Sequence, residues 1–354
     1  MSEALGVRCL ALGVKAPRAP NGPKKTRKVV QAERNDSLLS IAEAQPTLHE
    51  QSESTKMSKT LIVITGPTGV GKTAAAIRLA QRLRCDIINA DSRQIYRGIP
   101  ICTAAPTPEE LAAVRHHFVA FKELDENYSA AQFETDVLAL LPSLWQVGDF
   151  AVMCGGSMLY VDAVCRGIDQ LPDITPDVRM AVKEKLANEG LESLVNELES
   201  LDPQYAATVD RNNTKRVCHA VEICRQAGVP YSTLRTGNAK QRDFNIIKMA
   251  LNIERDKLFD RINRRVDHMV DAGLEQEARS VYHLRHLNSL NTVGMKEMFA
   301  MFDGTMDRHT AIERIKKNTR VYAKKQLTWY RRDPDVVWTT PDKTDETLAK
   351  IIGL

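Results

Sequence analysis

The apolar positions between residues 59 and 100 change period twice. Residues 61–65, Leu-Ile-Val-Ile-Thr, form a short β-branched run, 66–71 are glycine-rich, and over 73–83 alanine, isoleucine and leucine recur at helical spacing. This predicts strand, turn and helix. A second strand-like run, "CDIINADS", ends on Asp91, and a third, "DFAVMCGGSMLY", runs out into Cys154, Gly155, Gly156 and Ser157. From Leu171 onward, leucine, valine and alanine recur at three and four positions between charged residues, the pattern of packed amphipathic helices. A strand-like "FNIIKMALNI" over 244–253 then resumes the sheet, followed by long helical patterns over 254–284 and 308–329. No internal repeat is present.

The fold class expected is α/β: a parallel sheet like that of the P-loop NTPases, flanked by helices and carrying a helical insertion. The organisation read from the pattern is a disordered extension over 1–58 and a first part of the core over 59–170. A helical insertion follows over 171–211, a return to the core with basic C-terminal helices over 212–335, and a tail over 336–354. The extension is polar, punctuated by Pro17, Pro20 and Pro23 beside Lys24, Lys25, Arg27 and Lys28, and Met57 is a candidate start of the folded unit.

Composition narrows this only a little. Of 354 residues 43 % are hydrophobic and 27 % charged, enough to bury a core, and the formal charge of +4 is too small to identify a partner. No run approaches a membrane span. The seven cysteines form no close C-x-x-C pair and read as reduced thiols of a cytoplasmic protein. No cysteine or histidine set has zinc spacing, which leaves His116, His117 and His219 as structural residues.

The first turn carries chemistry. Gly66, Pro67, Thr68, Gly69, Val70, Gly71, Lys72 and Thr73 fit G-x-x-x-x-G-K-[ST], a nucleotide-binding loop whose most familiar occupant is ATP. Its backbone N–H groups can ring an anion at a helix N-terminus, Lys72 reaches the terminal phosphates, and Thr73 offers a hydroxyl to Mg2+. Asp91 should emerge at the carboxyl edge of the sheet, beside that loop. It reads either as a base beside a nucleophile or as a metal or helix-cap residue. An ATPase would carry a metal-binding acid at the end of a further strand; here that strand ends on Cys154-Gly155-Gly156-Ser157. Ser157 is either a donor at a polar reaction centre or a cap of the next helix.

Taken in order, "GPTGVGKT", "DIINADSRQIY", "HHFV", "YSAAQF", "CGGSMLY", "NNTKR", "RINRRVDHMV", "NTVGMKE" and "TRVYAKKQLTWYRR" resemble the tRNA dimethylallyltransferases over residues 60–335. The resemblance implies that the loop holds the diphosphate of dimethylallyl diphosphate rather than the tail of ATP. It also implies that a prenyl group passes to N6 of adenosine 37 beside the tRNA anticodon. Asp91 then matches the residue that takes or holds the N6 proton, and Ser157 matches a threonine near the amine. Asp91, Ser92, Arg93, Gln94, Ser157, Arg179, Thr214, Lys215 and Arg216 fall where the family contacts tRNA, in a monomer binding the anticodon stem-loop. Three further positions depart: Cys102 and Ala105 stand where glycine and lysine are common, and Met158 replaces a glycine.

Between Arg314 and Arg332 there are eight basic residues and no acid, with Lys316, Arg320 and Lys324 at i+4 spacing on one helical face. This face is expected to hold a phosphate backbone. Among Arg261, Arg264 and Arg265, at least one is expected to face the diphosphate. Tyr128 and Phe133 read equally as cover for a prenyl pocket and as core. A kinase sharing the loop, and an RNA-binding protein with a relic loop, are the rival classes.

Overall fold

The computed structural model describes residues 59–353; the expectations for 1–58 lie outside them. Among the described residues six strands form one sheet: β1 (Thr60–Thr65), β2 (Ile87–Asn89), β3 (His116–His117), β4 (Phe150–Cys154), β5 (Asn245–Leu251) and β6 (Val336–Thr339). Their order is β3-β2-β4-β1-β5-β6, and every pair is parallel. All six residues of the central β1 are buried, as a parallel sheet covered on both faces requires.

Successive β1 side chains serve opposite layers. Ile62 and Ile64 pack with Ala75, Ala76 and Leu79 of the loop helix, Lys72–Leu83. Leu61 and Val63 pack with Phe133 and Val137 of helix Ala130–Leu144 and with Val161 and Val164 of helix Met158–Arg166. Phe133 is fully buried and stacked on Tyr160 at 4.4 Å, which assigns it to the core, with Tyr128 packed beside it. A third apolar group, including Ile95, Ile99, Leu274, Met298 and Ile315, lies beyond the carboxyl edge of β2. No helix among the described residues is long and apolar enough to cross a membrane.

Several boundaries differ from the pattern reading. The pattern over 254–284 is broken into Arg255–Asp271 and Leu274–Ser280, because Gly273 takes φ +102° between them. "FVAF" is not a strand: pairing ends at His117, and Phe118 and Ala120 adopt φ of 63° and 47°. The tail over 336–354 supplies the edge strand β6 and helix Thr344–Ile352.

The helical insertion also runs further than its expected return at 212. Helix Pro176–Leu201, interrupted at Gly190, packs against helix Thr214–Ala227 through Val182, Leu194, Leu198, Val217 and Val221, and Tyr231 closes the same core. The amphipathic period was legible, but which helix closes this core is a tertiary fact.

Both connections to the insertion meet one carboxylate. Glu134, 2 % exposed, accepts from Arg242 Nη2 at 2.7 Å, Lys240 Nζ at 3.1 Å and the Ile168 amide at 3.2 Å. Burial alone would raise its pKa, yet Arg242, Lys240 and the amide hold it below the ordinary value. The stability this contributes is present above about 4.5 and is lost as pH falls through the depressed folded-state value. Glu134→Gln, which leaves Arg242 without its counter-charge, is expected to lower stability at neutral pH by about 3 kcal/mol. In denaturant titrations at stepped pH, the gap between wild type and variant should narrow below about 4.5; a constant gap would refute the role of charge.

Candidate active site

The phosphate loop leaves β1 through a backbone that only glycine can take. Gly66 has φ +134°, and a Cβ there would lie 2.5 Å from the Leu251 carbonyl oxygen. Gly69 and Gly71 also have positive φ, turning the chain into the loop helix with Lys72 as its first residue and Thr73 as its second. Lys72 folds back over the loop, donating from Nζ to the carbonyls of Pro67 at 3.0 Å and Gly66 at 3.2 Å. Burial pushes the Lys72 ammonium down to about 8; Asp91 opposes that shift and Arg265 adds to it.

Asp91 emerges past β2. Its Oδ1 accepts from the Arg93 amide at 2.9 Å, closing the turn that carries residues 92–95. Ser157, 8 % exposed, stands at the N-cap of helix Met158–Arg166 but makes no side-chain cap bond. Its Oγ accepts from the Ser92 amide at 2.8 Å and donates to Ser92 Oγ at 3.0 Å, tying the end of β4 to the Asp91 turn. Arg93 Nη1 reaches the carbonyls of Asn288 and Ser289 at 2.9 and 3.1 Å. Gln94 Nε2 reaches those of Thr103 and Ala104 at 3.1 and 2.9 Å. Both side chains thus brace the loops around the site.

Thr68, Asp91, Ser157 and Arg265 open onto one cavity of about 310 Å3, with Val266, Met269, Leu274 and Ile315 as apolar wall and Lys296 and Tyr322 also lining it. A larger, more open groove of about 1030 Å3 runs past Phe259, Lys324 and Trp338, but neither the phosphate loop nor Asp91 lines it. The smaller cavity is therefore the candidate site.

The three arginines separate cleanly. Arg265 Nη2 donates to Thr68 Oγ1 at 2.9 Å and lines the cavity. Arg261 Nη1 donates to the Val70 carbonyl at 3.2 Å behind the loop, and Arg264 pairs with Asp260 at 2.7 Å. Of Lys316, Arg320 and Lys324, the first two are half-buried against a neighbouring helix, whereas Lys324 is exposed. Lys316 pairs with Asp267 at 2.8 Å, Arg320 with Asn263, and Lys324 lies 5.5 Å from the Phe259 ring, all on helix Arg255–Asp271. The i+4 stripe is an interhelical seam at Lys316 and Arg320; Arg314, Lys317, Lys324, Lys325, Arg331 and Arg332 are the exposed bases of helix Arg308–Tyr330 and its end.

Arg179 and the Thr214, Lys215, Arg216 turn are borne by the insertion and do not line the cavity. Asn213 caps the latter turn by accepting from the Arg216 amide at 3.3 Å. One further residue, from the basic stretch expected to contact nucleic acid, lies at the site instead. Gln326, 1 % exposed, accepts at Oε1 from the Thr68 amide and donates from Nε2 to the Gly156 carbonyl, both at 2.8 Å. Its one signal was its position, an uncharged side chain in the midst of a basic run.

Residues 94–333 match the family model described as IPP transferase. The chain belongs to the IPP transferase family. It is 52 % identical over 291 residues to tRNA dimethylallyltransferase 2 of Parabacteroides distasonis, covering 82 % of this chain and 97 % of that one. To tRNA dimethylallyltransferase 1 of Phocaeicola vulgatus it is 51 % identical, over 83 % of this chain and 98 % of the relative. Among solved structures it is similar to the tRNA isopentenylpyrophosphate transferase of Bacillus halodurans, with TM-score 0.61 and 37 % identity over 83 % of this chain and 96 % of that one. It is also similar to a eukaryotic dimethylallyltransferase solved acting on tRNA, with TM-score 0.67 and 26 % identity over 80 % and 74 % of the two chains. These relatives are prenyltransferases acting on tRNA, and their structures share the parallel-sheet fold described here. The family match begins at Gln94, after the phosphate loop and Asp91, so the case for those residues rests on the geometry above.

That geometry has a pH consequence. An anion held by the Lys72 ammonium would lose that counter-charge as pH rises above about 8, to which burial lowers the group in the free protein. The affinity for inorganic diphosphate, measured by calorimetry and corrected by the same series on Lys72→Met, should fall as pH rises through that value, approaching tenfold per unit. A wild-type slope equal to that of the methionine variant would show that Lys72 does not bind the anion.

Proposed function

We propose that this chain transfers the dimethylallyl group of dimethylallyl diphosphate to N6 of adenosine 37 in tRNA and releases diphosphate. The observation that carries this reading is one cavity lined by Asp91, Ser157, Thr68 and Arg265 together with apolar side chains, with the buried Lys72 ammonium near Asp91. The cations suit an anion, the carboxylate an amine, and the apolar wall a five-carbon hydrocarbon.

In the proposed reaction the bond between the allylic carbon and the diphosphate oxygen breaks, and its electron pair leaves with the diphosphate. A bond forms from N6 to that carbon, and the N6 proton passes to Asp91. An adenine amine is a weak nucleophile because its lone pair is delocalised, so a carboxylate accepting the proton assists attack. Lys72, Arg265 and the loop amides stabilise the charge gathering on the leaving group. Ser157, bonded to Ser92, holds the turn that carries Asp91.

The residues present fit a magnesium ion of one kind. Among the described residues no cluster of three or more acidic, histidine or cysteine side chains converges, and β4 ends on Cys154. Thr73 would supply a hydroxyl, with diphosphate oxygens and water completing the shell, the arrangement Mg2+ favours. When bound, the ion would neutralise charge on the departing diphosphate.

The acceptor would reach the cavity as a base extruded from an anticodon stem-loop. Arg179, Thr214, Lys215 and Arg216 on the insertion are suited to grip that stem, and Arg314, Lys317 and Lys325 supply further exposed charge.

The deciding experiment incubates the protein with unmodified tRNA and labelled dimethylallyl diphosphate, and separately with labelled ATP. Label transfer from the prenyl donor is expected, and phosphate transfer from ATP would overturn the reading in favour of a kinase. Asp91→Asn should slow single-turnover transfer by about 10²- to 10⁴-fold with tRNA affinity retained. A wild-type rate would mean that Asp91 is not the base. Arg179→Ala should weaken tRNA binding while inorganic diphosphate affinity stays near wild type; equal losses in a folded variant would exclude a selective RNA contact.

A further inference from the structure

Gln326 sits in the basic helix Arg308–Tyr330, yet its side chain is withdrawn from solvent and its carboxamide is used at both ends. Oε1 takes the amide hydrogen of Thr68 in the phosphate loop, and Nε2 gives a hydrogen to the carbonyl of Gly156 in the turn that carries Ser157. The packing is tight: a Cβ on Gly156 would lie 2.4 Å from Gln326 Nε2 and 3.5 Å from Lys72 Nζ. From Thr68 the contacts continue to Arg265 at 2.9 Å, and from the Gly156 turn through Ser157 to Ser92, next to Asp91. The Thr68 amide is thereby committed to a protein acceptor rather than offered to an anion.

We propose that Gln326 is a positioning residue that sets the spacing between the leaving-group loop and the acceptor-side turn. The inference rests on the prenyl transfer proposed above. Only a side chain with an acceptor and a donor on one planar group of this length can make both bonds. Leucine makes neither. An ionised glutamate keeps the bond to Thr68 but turns an acceptor on the Gly156 carbonyl, and a protonated glutamate restores the donor. Because transfer needs donor carbon and amine in near-attack geometry, a displacement of about 1 Å between the two sides costs about 10²-fold in rate.

The test compares wild type, Gln326→Leu and Gln326→Glu in single-turnover transfer of label from dimethylallyl diphosphate to tRNA, at saturating donor and over a pH range. The melting temperature and tRNA affinity of each are measured in parallel. Gln326→Leu should transfer about 10²-fold more slowly while binding tRNA within about twofold of wild type. Gln326→Glu should be similarly slow in alkaline buffer and recover about tenfold relative to wild type as acidification protonates its carboxyl. Transfer within about threefold of wild type in both variants, or a loss that tracks tRNA affinity and melting temperature, overturns the proposal. Should the leucine variant not fold, the pH recovery of the glutamate variant decides, and its absence refutes the role. A wild type that moves no label refutes the reaction itself, and the positioning role with it.

Discussion

Three strand exits are pressed together so closely that side chains are excluded between them. The Ala90 amide donates to the Cys154 carbonyl at 2.8 Å, the Gly155 amide to Ile64 at 3.2 Å and the Ser157 amide to Ala90 at 3.2 Å. A Cβ on Gly155 would fall 2.1 Å from the Ala90 oxygen. This junction joins the ends of β1, β2 and β4, and from it the chain departs in three directions carrying Lys72, Asp91 and Ser157. Their convergence follows from backbone contact rather than from attraction between the side chains. Glycine at 155 is therefore a geometric requirement of the site, independent of any ligand.

Charge is arranged around that junction with little to spare. Lys72 is buried enough for its ammonium to be depressed to about 8, and it is sustained by two loop carbonyls and by Asp91 nearby. Arg265, held on Thr68, adds a second cation on the same side. Two cations and one carboxylate leave an excess of positive charge that an anionic leaving group would balance. The carboxylate lines the same cavity and lies close enough to both cations to favour their charged forms.

What was legible in the sequence was what short-range chemistry dictates. Glycines, a lysine and a threonine at fixed spacing mark their loop by local pattern alone, and Asp91 falls two residues past β2, in the polar turn that follows "IIN". What was not legible depends on which surfaces meet. The i+4 spacing of Lys316, Arg320 and Lys324 correctly put them on one face, yet periodicity carries no information about whether that face meets water or helix Arg255–Asp271. For the same reason Arg265 could not be separated from Arg261 and Arg264, one helical turn or less away. Gln326 was hidden because its two partners lie 258 and 170 residues distant. The insertion's end was missed because helix Thr214–Ala227 has the same amphipathic pattern whichever core it joins.

The departures from the family pattern at 102, 105 and 158 are each absorbed by their surroundings. Met158 opens a helix without positive φ and packs toward Trp329 and Tyr330, so a glycine is not needed there. Cys102 is buried with its Sγ 3.4 Å from the Val293 carbonyl, and a Cβ on Gly294 would come within 2.6 Å of that sulfur. The glycine freedom absent at 102 is thus demanded at 294, where φ is +100°. Burial pushes the Cys102 thiol up to about 12, which keeps it neutral beside Glu277 and leaves it an apolar filler of the cavity wall. At Ala105 a cation is missing, but Lys296 and Arg265 line the cavity from other elements. Positive charge there is supplied across the fold instead of from the short helix Pro100–Thr103, whose Ile101 and Cys102 amides are already occupied by Glu277 at 2.7 Å each.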